Sequence, residues 1–390
     1  MSARLRRVLV SMGLAFMCAP VLADLPAMPE PLEVAVIPEK PADAHWVWIS
    51  DFQYGGYGRT LLYNADNGEM QGMLDTGWEG NKLDFPRSGN EIYSLGMYMS
   101  RGYRGERTDT VATYDKRTLK LLREVTVPPK SIKGLPDPNH TALSDDDRFL
   151  FMHFFTPVSS VGIVDIKANR FVGEVEAAGC AHIMAAGARR FFMLCGDGAA
   201  LVVTVGEDGQ EISRQRSAPF FDADMDPLHG SGTRSGNKWY FASHRGRIHE
   251  VDVSGAQLAF PASWSITETQ KGLHWVPGPL MQPVAVHHAT HRLFVLMLSS
   301  DLKPKGGGYD FHRIEATEVW SFDLNSKRRL KRTPLKQPTS TLAVSQDATP
   351  RLYGGSIYGG GAVTVYDEAS GKPLLDIPVP MSPTLIQPVE

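Results

Sequence analysis

One short phrase recurs seven times along this chain, and it limits the fold more than any other feature. A β-rich run ends in Asp or Asn, a few polar or glycine residues follow, and another apolar run begins. The copies are Leu62-Tyr63-Asn64, Thr113-Tyr114-Asp115, Ile163-Val164-Asp165, Val203-Thr204-Val205 with Asp208-Gly209, Glu250-Val251-Asp252, Ser321-Phe322-Asp323 and Val365-Tyr366-Asp367. From Asn64 through Asp115, Asp165, Asp208, Asp252 and Asp323 to Asp367 the spacings are 51, 50, 43, 44, 71 and 44 residues, close to the length of one four-stranded propeller blade. The long gap carries one insertion, which we place in Ser263 to Pro279 together with the Gly306-Gly307-Gly308 loop, because neither stretch alternates as a strand does.

A second strand precedes each later marker, as in Glu91 to Tyr98, Arg148 to Phe155 and Arg351 to Ile357, with turn residues such as Ser144-Asp145-Asp146-Asp147 just before it. No long stretch has helical periodicity. The predicted fold is therefore all-β, a seven-bladed propeller over residues 44–390. Thr384 to Val389 follows the last repeat without a unit of its own, whereas the first unit begins at Trp46 without an inner strand. The C-terminal segment is expected to supply that strand, which closes the ring and removes two free sheet edges.

Residues 1–23 stand outside this pattern. Arg4, Arg6 and Arg7 are followed by an apolar run from Val8 to Cys18 and by Val21-Leu22-Ala23, the layout of a signal peptide cleaved before Asp24. The run is too short for a spanning helix, which takes about 20 residues, so we expect export to the periplasm without a membrane span. Residues 24–43 are read as an N-terminal extension. The remaining 37 basic and 43 acidic residues form no basic excess to neutralise phosphates, which argues against nucleic acid as a partner. Cys180 and Cys195 are the two cysteines left after export, and a disulfide between them is expected, pinning the strand that ends at Cys195 to the preceding turn. A free thiol pair and a metal site are the rival readings.

The residues offer no self-contained catalytic set. His287, His288 and His291 resemble metal ligands in spacing but fall in a turn without a matching carboxylate, so a solvated or hydrogen-bonded turn is expected. Asp145, Asp146 and Asp147 lack the alternating oxygen donors of a calcium loop. Gly306 to Gly308 lacks the Lys-Ser/Thr of a phosphate loop, and no Gly-x-Ser-x-Gly elbow occurs. The basic run Lys327-Arg328-Arg329 with Lys331 and Arg332 reads as a solvated outer edge guarded by charge, or as a patch for an acidic partner. The tryptophans, Trp46, Trp48, Trp78 and Trp275 among them, read as blade packing.

Particular segments carry a resemblance. Gly105-Glu106-Arg107-Thr108-Asp109 running into Tyr114-Asp115, Val161-Gly162-Ile163-Val164-Asp165, Cys180 with Phe191-Phe192-Met193-Leu194-Cys195-Gly196-Asp197-Gly198, and Trp275-Val276-Pro277-Gly278 resemble the heavy chain of the quinoprotein amine dehydrogenases. The likeness runs from about Val47 to the C-terminus. Pro128-Pro129-Lys130 with Gly134-Leu135, Ala177-Ala178-Gly179-Cys180 and Gly206-Glu207-Asp208-Gly209 are more similar to the aromatic amine branch than to the methylamine branch.

The resemblance implies a heavy subunit in a periplasmic assembly of two heavy and two light chains. It implies that tryptophan tryptophylquinone and the catalytic residues reside on the light chain, with no cofactor bound by this chain alone. Primary amines, aralkylamines above all, would be oxidised to aldehydes, and electrons would pass to a small copper protein of the azurin or amicyanin type. In such heavy chains an aromatic residue near the start of the first blade lines the substrate channel. The segment here, Asp51-Phe52-Gln53-Tyr54-Gly55-Gly56-Tyr57, matches with a one-residue gap, so Tyr54 is the best candidate and Phe52 the next, with ordinary blade packing as the other reading of both. The competing function is a stand-alone periplasmic propeller that binds a ligand or partner without redox work.

Overall fold

The computed structural model describes residues 36–79, 82–131, 137–270, 273–279, 281–299, 314–358 and 361–390. The expected signal peptide, Gly134-Leu135 and the Gly306 to Gly308 loop lie outside the described residues. Seven antiparallel sheets follow one another along the chain, six of four strands and one of six. No helix among the described residues is long and apolar enough to cross a membrane.

The recurring Asp or Asn is explained by the turn that follows it. In blade 2, Asp115 ends the strand Arg107–Asp115, and its Oδ1 accepts the N–H groups of Arg117 and Thr118 at 3.0 and 2.7 Å. In blade 7 the Oδ1 of Asp367 accepts the N–H of Ser370 at 2.8 Å, and in blade 6 that of Asp323 accepts Ser326 N–H at 2.6 Å. Four residues after the marker the chain takes a left-handed conformation, at Gly68, Leu119, Asn169, Lys327 and Gly371. At Leu119, Lys327 and Gly371 the N–H of that residue returns to the marker carbonyl at 2.7 to 2.8 Å. This is a hairpin loop with a bulge, and the pairing shifts register beside it, as between Thr113 and Tyr114. The marker persists because its short carboxylate saturates the turn's own donors.

Blades pack face to face, so the middle strands are buried on both sides. In blade 1, Val47, Ile49, Leu61 and Tyr63 pack towards blade 7, while Trp46, Trp48 and Leu62 pack towards blade 2. Burial of both faces produces the near-continuous apolar runs of these strands in place of strict alternation.

The ring closes as expected. Ser382–Pro388 pairs antiparallel with Trp46–Phe52, Ile386 opposite Ile49, so the C-terminal strand is the inner strand of blade 1.

Three expectations require correction. Ser263 to Pro279 does contain strands: Trp264–Ser265 is the outer strand of blade 5, and the hairpin Glu268–Gln270 with Leu273–Pro277 joins blade 6 by pairing Trp275 with Ser299. These strands have five residues or fewer, too short for a period to emerge. The basic run is solvated at Lys327, Arg328 and Arg329, as expected, but not at Arg332. The Arg332 guanidinium lies 4.6 and 4.7 Å from the ring centres of Trp275 and Trp320, and it holds Glu318 with two hydrogen bonds of 2.7 and 2.8 Å. Its planar cation covers aromatic surface that strand alternation alone would leave wet. Finally, Cys180 does not sit in a turn. It opens the strand Cys180–Ala185 directly opposite Cys195, and the two are disulfide-bonded with Cα atoms 3.9 Å apart.

Candidate functional site

Antiparallel order places the loops between second and third strands on the same face as the connectors between blades. On this face stand most of the large apolar side chains exposed outside the outer strands: Tyr54, Tyr103, Phe155, Met225, Tyr358 and Met381. A soluble surface seldom gathers such groups without a partner.

The blade 1 end of this face is fixed by Asp51. Its buried carboxylate accepts Met381 N–H and Ser382 N–H at 2.8 and 3.1 Å and pairs with Arg59 Nε at 2.9 Å. The strand's end is thereby stitched to the entry of the C-terminal strand. Phe52, the last residue of Trp46–Phe52, is 6% exposed, whereas Tyr54 in the following loop is 87% exposed. Their ring centres are 6.5 Å apart, so the structure brings both channel candidates together as one buried and one solvent-facing ring. The loop is held from below by Glu79, whose N–H donates to Gly56 O at 2.7 Å and whose Oε1 accepts Gly55 N–H at 3.3 Å.

Beside this loop is an aromatic wall that the sequence reading missed. Tyr57 meets Trp78 edge-on at 5.9 Å and stacks with Tyr98 at 6.4 Å, and Trp78 meets Tyr103 at 5.3 Å. The Tyr57 hydroxyl donates to Gly102 O at 2.9 Å, which ties the loops of blades 1 and 2 together. Trp78 thus belongs to this wall as well as to blade packing. The only sequence signal was the recurrence of Tyr beside Gly in two separate loops.

A second concavity of about 400 Å³ lies at blades 3 and 4, lined by the disulfide, His153, Phe155, Ser159 and His182. His182 sits in the left-handed region, φ 59°, at a bulge between Ala181 and Ile183. Its Nδ1 is 2.6 Å from Asp137 Oδ2. Burial works to lower the His182 pKa, but the Asp137 charge and hydrogen bond outweigh it and raise the value above the ordinary one. His153 responds the other way: burial, with the charges of His140 and His182 adding to it, holds its pKa down to about 3. Ser159 donates its hydroxyl to Cys180 O at 2.7 Å, so the His153 Nε2 at 2.9 Å must be the donor to Ser159 Oγ.

The remaining candidates are structural. His287 is buried, with Nδ1 2.7 Å from Thr290 Oγ1 and Nε2 3.1 Å from Asp347 O, so its turn is hydrogen-bonded at His287 and solvated at Thr290 and His291. Asp145 binds Arg234 through both oxygens and Arg87 through one. No group of three or more His, Cys, Asp or Glu among the described residues is arranged to hold a metal ion.

The fold and this loop face define a seven-bladed propeller whose exposed rings gather on one side. By fold alone it is similar to a functionally unknown protein from Desulfotomaculum acetoxidans, with a TM-score of 0.59 at 10% identity over 88% of this chain and 98% of that one. It is likewise similar to a putative 6-phosphogluconolactonase from Bacteroides uniformis, TM-score 0.57 at 14% identity over 89% and 100% of the two chains. Sequence is more specific. The profile of the family Methylamine dehydrogenase heavy chain (MADH) matches residues 43–387. The methylamine dehydrogenase heavy chain of Methylorubrum extorquens is 27% identical over 343 residues, 86% of this chain and 80% of that one, and that of Methylophilus methylotrophus is 28% identical over 352 residues, 88% and 82%. The chain belongs to the methylamine dehydrogenase heavy chain family.

Proposed function

We propose that this chain is the heavy subunit of a periplasmic amine dehydrogenase that oxidises primary amines to aldehydes and ammonia, with aralkylamines preferred. The observation that carries the reading is the family match across nearly the whole propeller, in a chain whose exposed rings converge on one face. That face is where the light chain docks. The light chain supplies tryptophan tryptophylquinone, which takes up the electrons of the amine, and the electrons leave to a small copper protein.

The work of this chain is positional. Asp51 and Glu79 fix the loop 53–56, so that Tyr54 projects at the docking face while Phe52 backs it from within. Bulky rings at a channel mouth discriminate amines by shape, and the neighbouring wall of Tyr57, Trp78 and Tyr103 offers flat apolar surface suited to an aryl group. Two heavy and two light chains make up the assembly.

The test is reconstitution. Expressed alone, the mature chain is expected to show no quinone absorbance and no dye-linked amine oxidation; co-expressed with its small cysteine-rich light chain, it is expected to oxidise 2-phenylethylamine with higher kcat/KM than methylamine. Amine oxidation by the isolated chain would overturn the subunit reading, and a methylamine preference would overturn the aralkylamine part.

A further inference from the structure

The concavity of about 400 Å³ at blades 3 and 4 is walled mainly by apolar groups. Phe155 comes from the loop of blade 3, Leu194 and the disulfide from blade 4, and Phe221 and Leu228 from the connector into blade 5. His182 enters from the inner strand of blade 4. A bulge between Ala181 and Ile183 takes it out of register, and its backbone is left-handed, φ 59°. Bulges re-aim single side chains, and a residue other than glycine keeps such a backbone only where its surroundings hold it. Two neighbours do so. Asp137 Oδ2 engages Nδ1 at 2.6 Å, and Gly230 leaves room for the ring, since a Cβ there would stand 2.1 Å from Nε2.

The second ring nitrogen is open. The His182 side chain is 31% exposed and lines the concavity, and among the described residues Nε2 has no hydrogen-bond partner and is not one of the atoms shut off from solvent. With Nδ1–H given to the Asp137 carboxylate, the protonated ring presents Nε2–H to the concavity. Burial opposes that form, but the Asp137 charge and hydrogen bond outweigh it. The other titratable groups of the cluster are His140 and His153. His153, held down to about 3, stays neutral and gives its Nε2–H to Ser159, which gives its own hydrogen to Cys180 O, so neither has a donor to spare. Because Asp137 already answers the imidazolium charge, the open N–H calls for an acceptor and not for a counter-ion. Asp222 and Asp224 flank Ala223 of the lining and disfavour an anion, while the imidazolium disfavours a cation.

We infer that this concavity binds a small neutral molecule with an apolar body and one strong hydrogen-bond acceptor, the carbonyl oxygen of an amide. The carbonyl accepts His182 Nε2–H, and the body lies against Phe155, Phe221 and Leu228. A tertiary amide fits best, because it brings no N–H that would need an acceptor among apolar walls. Apolar walls around one placed polar group, in a volume of this size, are the make-up of small-molecule sites. The inference stands apart from the amine dehydrogenase reading, since it concerns a neutral ligand bound by this chain alone.

Calorimetry on the mature chain tests it with three probes: N,N-dimethylbenzamide, N,N-dimethylbenzylamine, which is a cation on the same frame, and benzoate. Each is measured below and above the His182 pKa, itself read from ring-proton NMR. Below that pKa the amide is expected to fill one saturable site, with the cation and the anion weaker by about tenfold or more, as the loss of a hydrogen bond from a charged donor requires. Above it Nε2 turns from donor to acceptor, and the amide is expected to bind about tenfold more weakly. His182→Phe is expected to abolish binding. His182→Gln keeps an N–H that does not titrate, so it is expected to retain part of the affinity and to lose the pH dependence; near-UV circular dichroism verifies the fold of both. No saturable binding of the amide, equal or tighter binding of the cation or of benzoate, unchanged affinity above the pKa, or parental affinity in His182→Phe would overturn the proposal.

Discussion

Gln387 on the last strand and Leu83 on the first strand of blade 2 form a closed pair of hydrogen bonds: Leu83 N–H donates to Gln387 Oε1 at 3.1 Å, and Gln387 Nε2 donates to Leu83 O at 2.8 Å. The same device recurs two blades away in the other direction, beside the inner strand of blade 6. The Gln282 side-chain amide accepts Ile386 N–H and donates to Ile386 O, both at 3.1 Å. Two glutamine amides thus act as one-residue strands and hold the C-terminal strand to blades 2 and 6 as well as to its own sheet.

Removal of residues 384–390 is therefore expected to destabilise the whole propeller. The deletion strips fully buried Leu385 and Ile386, each worth about 1.5–3 kcal/mol of apolar burial, and frees the edge of Trp46–Phe52. Gln387→Ala is the milder form, leaving the buried Leu83 amide unsatisfied at a cost of about 1–3 kcal/mol. Thermal unfolding measures both; an unchanged Tm in the truncated chain would contradict the closure described here.

Cys180 and Cys195 close a loop of 15 residues, for which the chain-entropy account gives about 3 kcal/mol. Digestion of the exported chain without reduction is expected to yield the two cysteine peptides linked. Replacing both cysteines by serine is expected to lower Tm without changing the amine preference of the reconstituted enzyme.

Tyr54 and Phe52 are expected to separate by their burial. Tyr54→Ala touches a ring that is 87% exposed, so stability should stay within about 0.5 kcal/mol while relative kcat/KM for large and small amines shifts in the complex. Phe52→Ala opens a cavity in packed surroundings and should cost about 3–5 kcal/mol. An unaltered preference across an amine series in Tyr54→Ala would remove Tyr54 from the channel.

The Asp137 and His182 pair makes a signed pH prediction. Because the folded His182 pKa is raised, its protonated form stabilises the fold below the unfolded histidine value of about 6.5, and that contribution fades as pH climbs through the raised pKa. His153 acts oppositely: held near 3, it costs stability as pH falls below about 6.5, where the unfolded chain takes up the proton. Ring-proton NMR titration should place His182 above an ordinary histidine in the parent. In Asp137→Asn burial is left unopposed, and His182 should drop below it. A His182 titration unmoved by this substitution would show that Asp137 does not set its charge.

Much of the candidate site was hidden for a geometric reason. Phe52 and Tyr54 were legible because they follow a recognisable strand. The aromatic wall combines Tyr57 and Trp78 of blade 1 with Tyr98 and Tyr103 of blade 2, and no spacing announces such a meeting. The Asp137 to His182 contact depends on a bulge that turns His182 into the concavity, and the bulge leaves no trace in the local pattern. Arg332 was misjudged because its charge suggested solvent, while the tryptophans that receive it lie on other strands.

The sequence by itself determined the blades, their number and their closure. The marker side chain bonds donors within the next few residues, as Asp115 does with Thr118, so each turn is written in adjacent letters, and seven such turns leave one arrangement that buries every apolar run. Tertiary structure decided what the loops present. Gln387 meets Leu83 across 304 residues, and Arg234 of blade 5 meets Asp145 beside blade 3 across 89, because closing a ring juxtaposes segments whose positions depend on every blade between them. Local chemistry repeats and can be read; contacts made by closure occur once and carry no period.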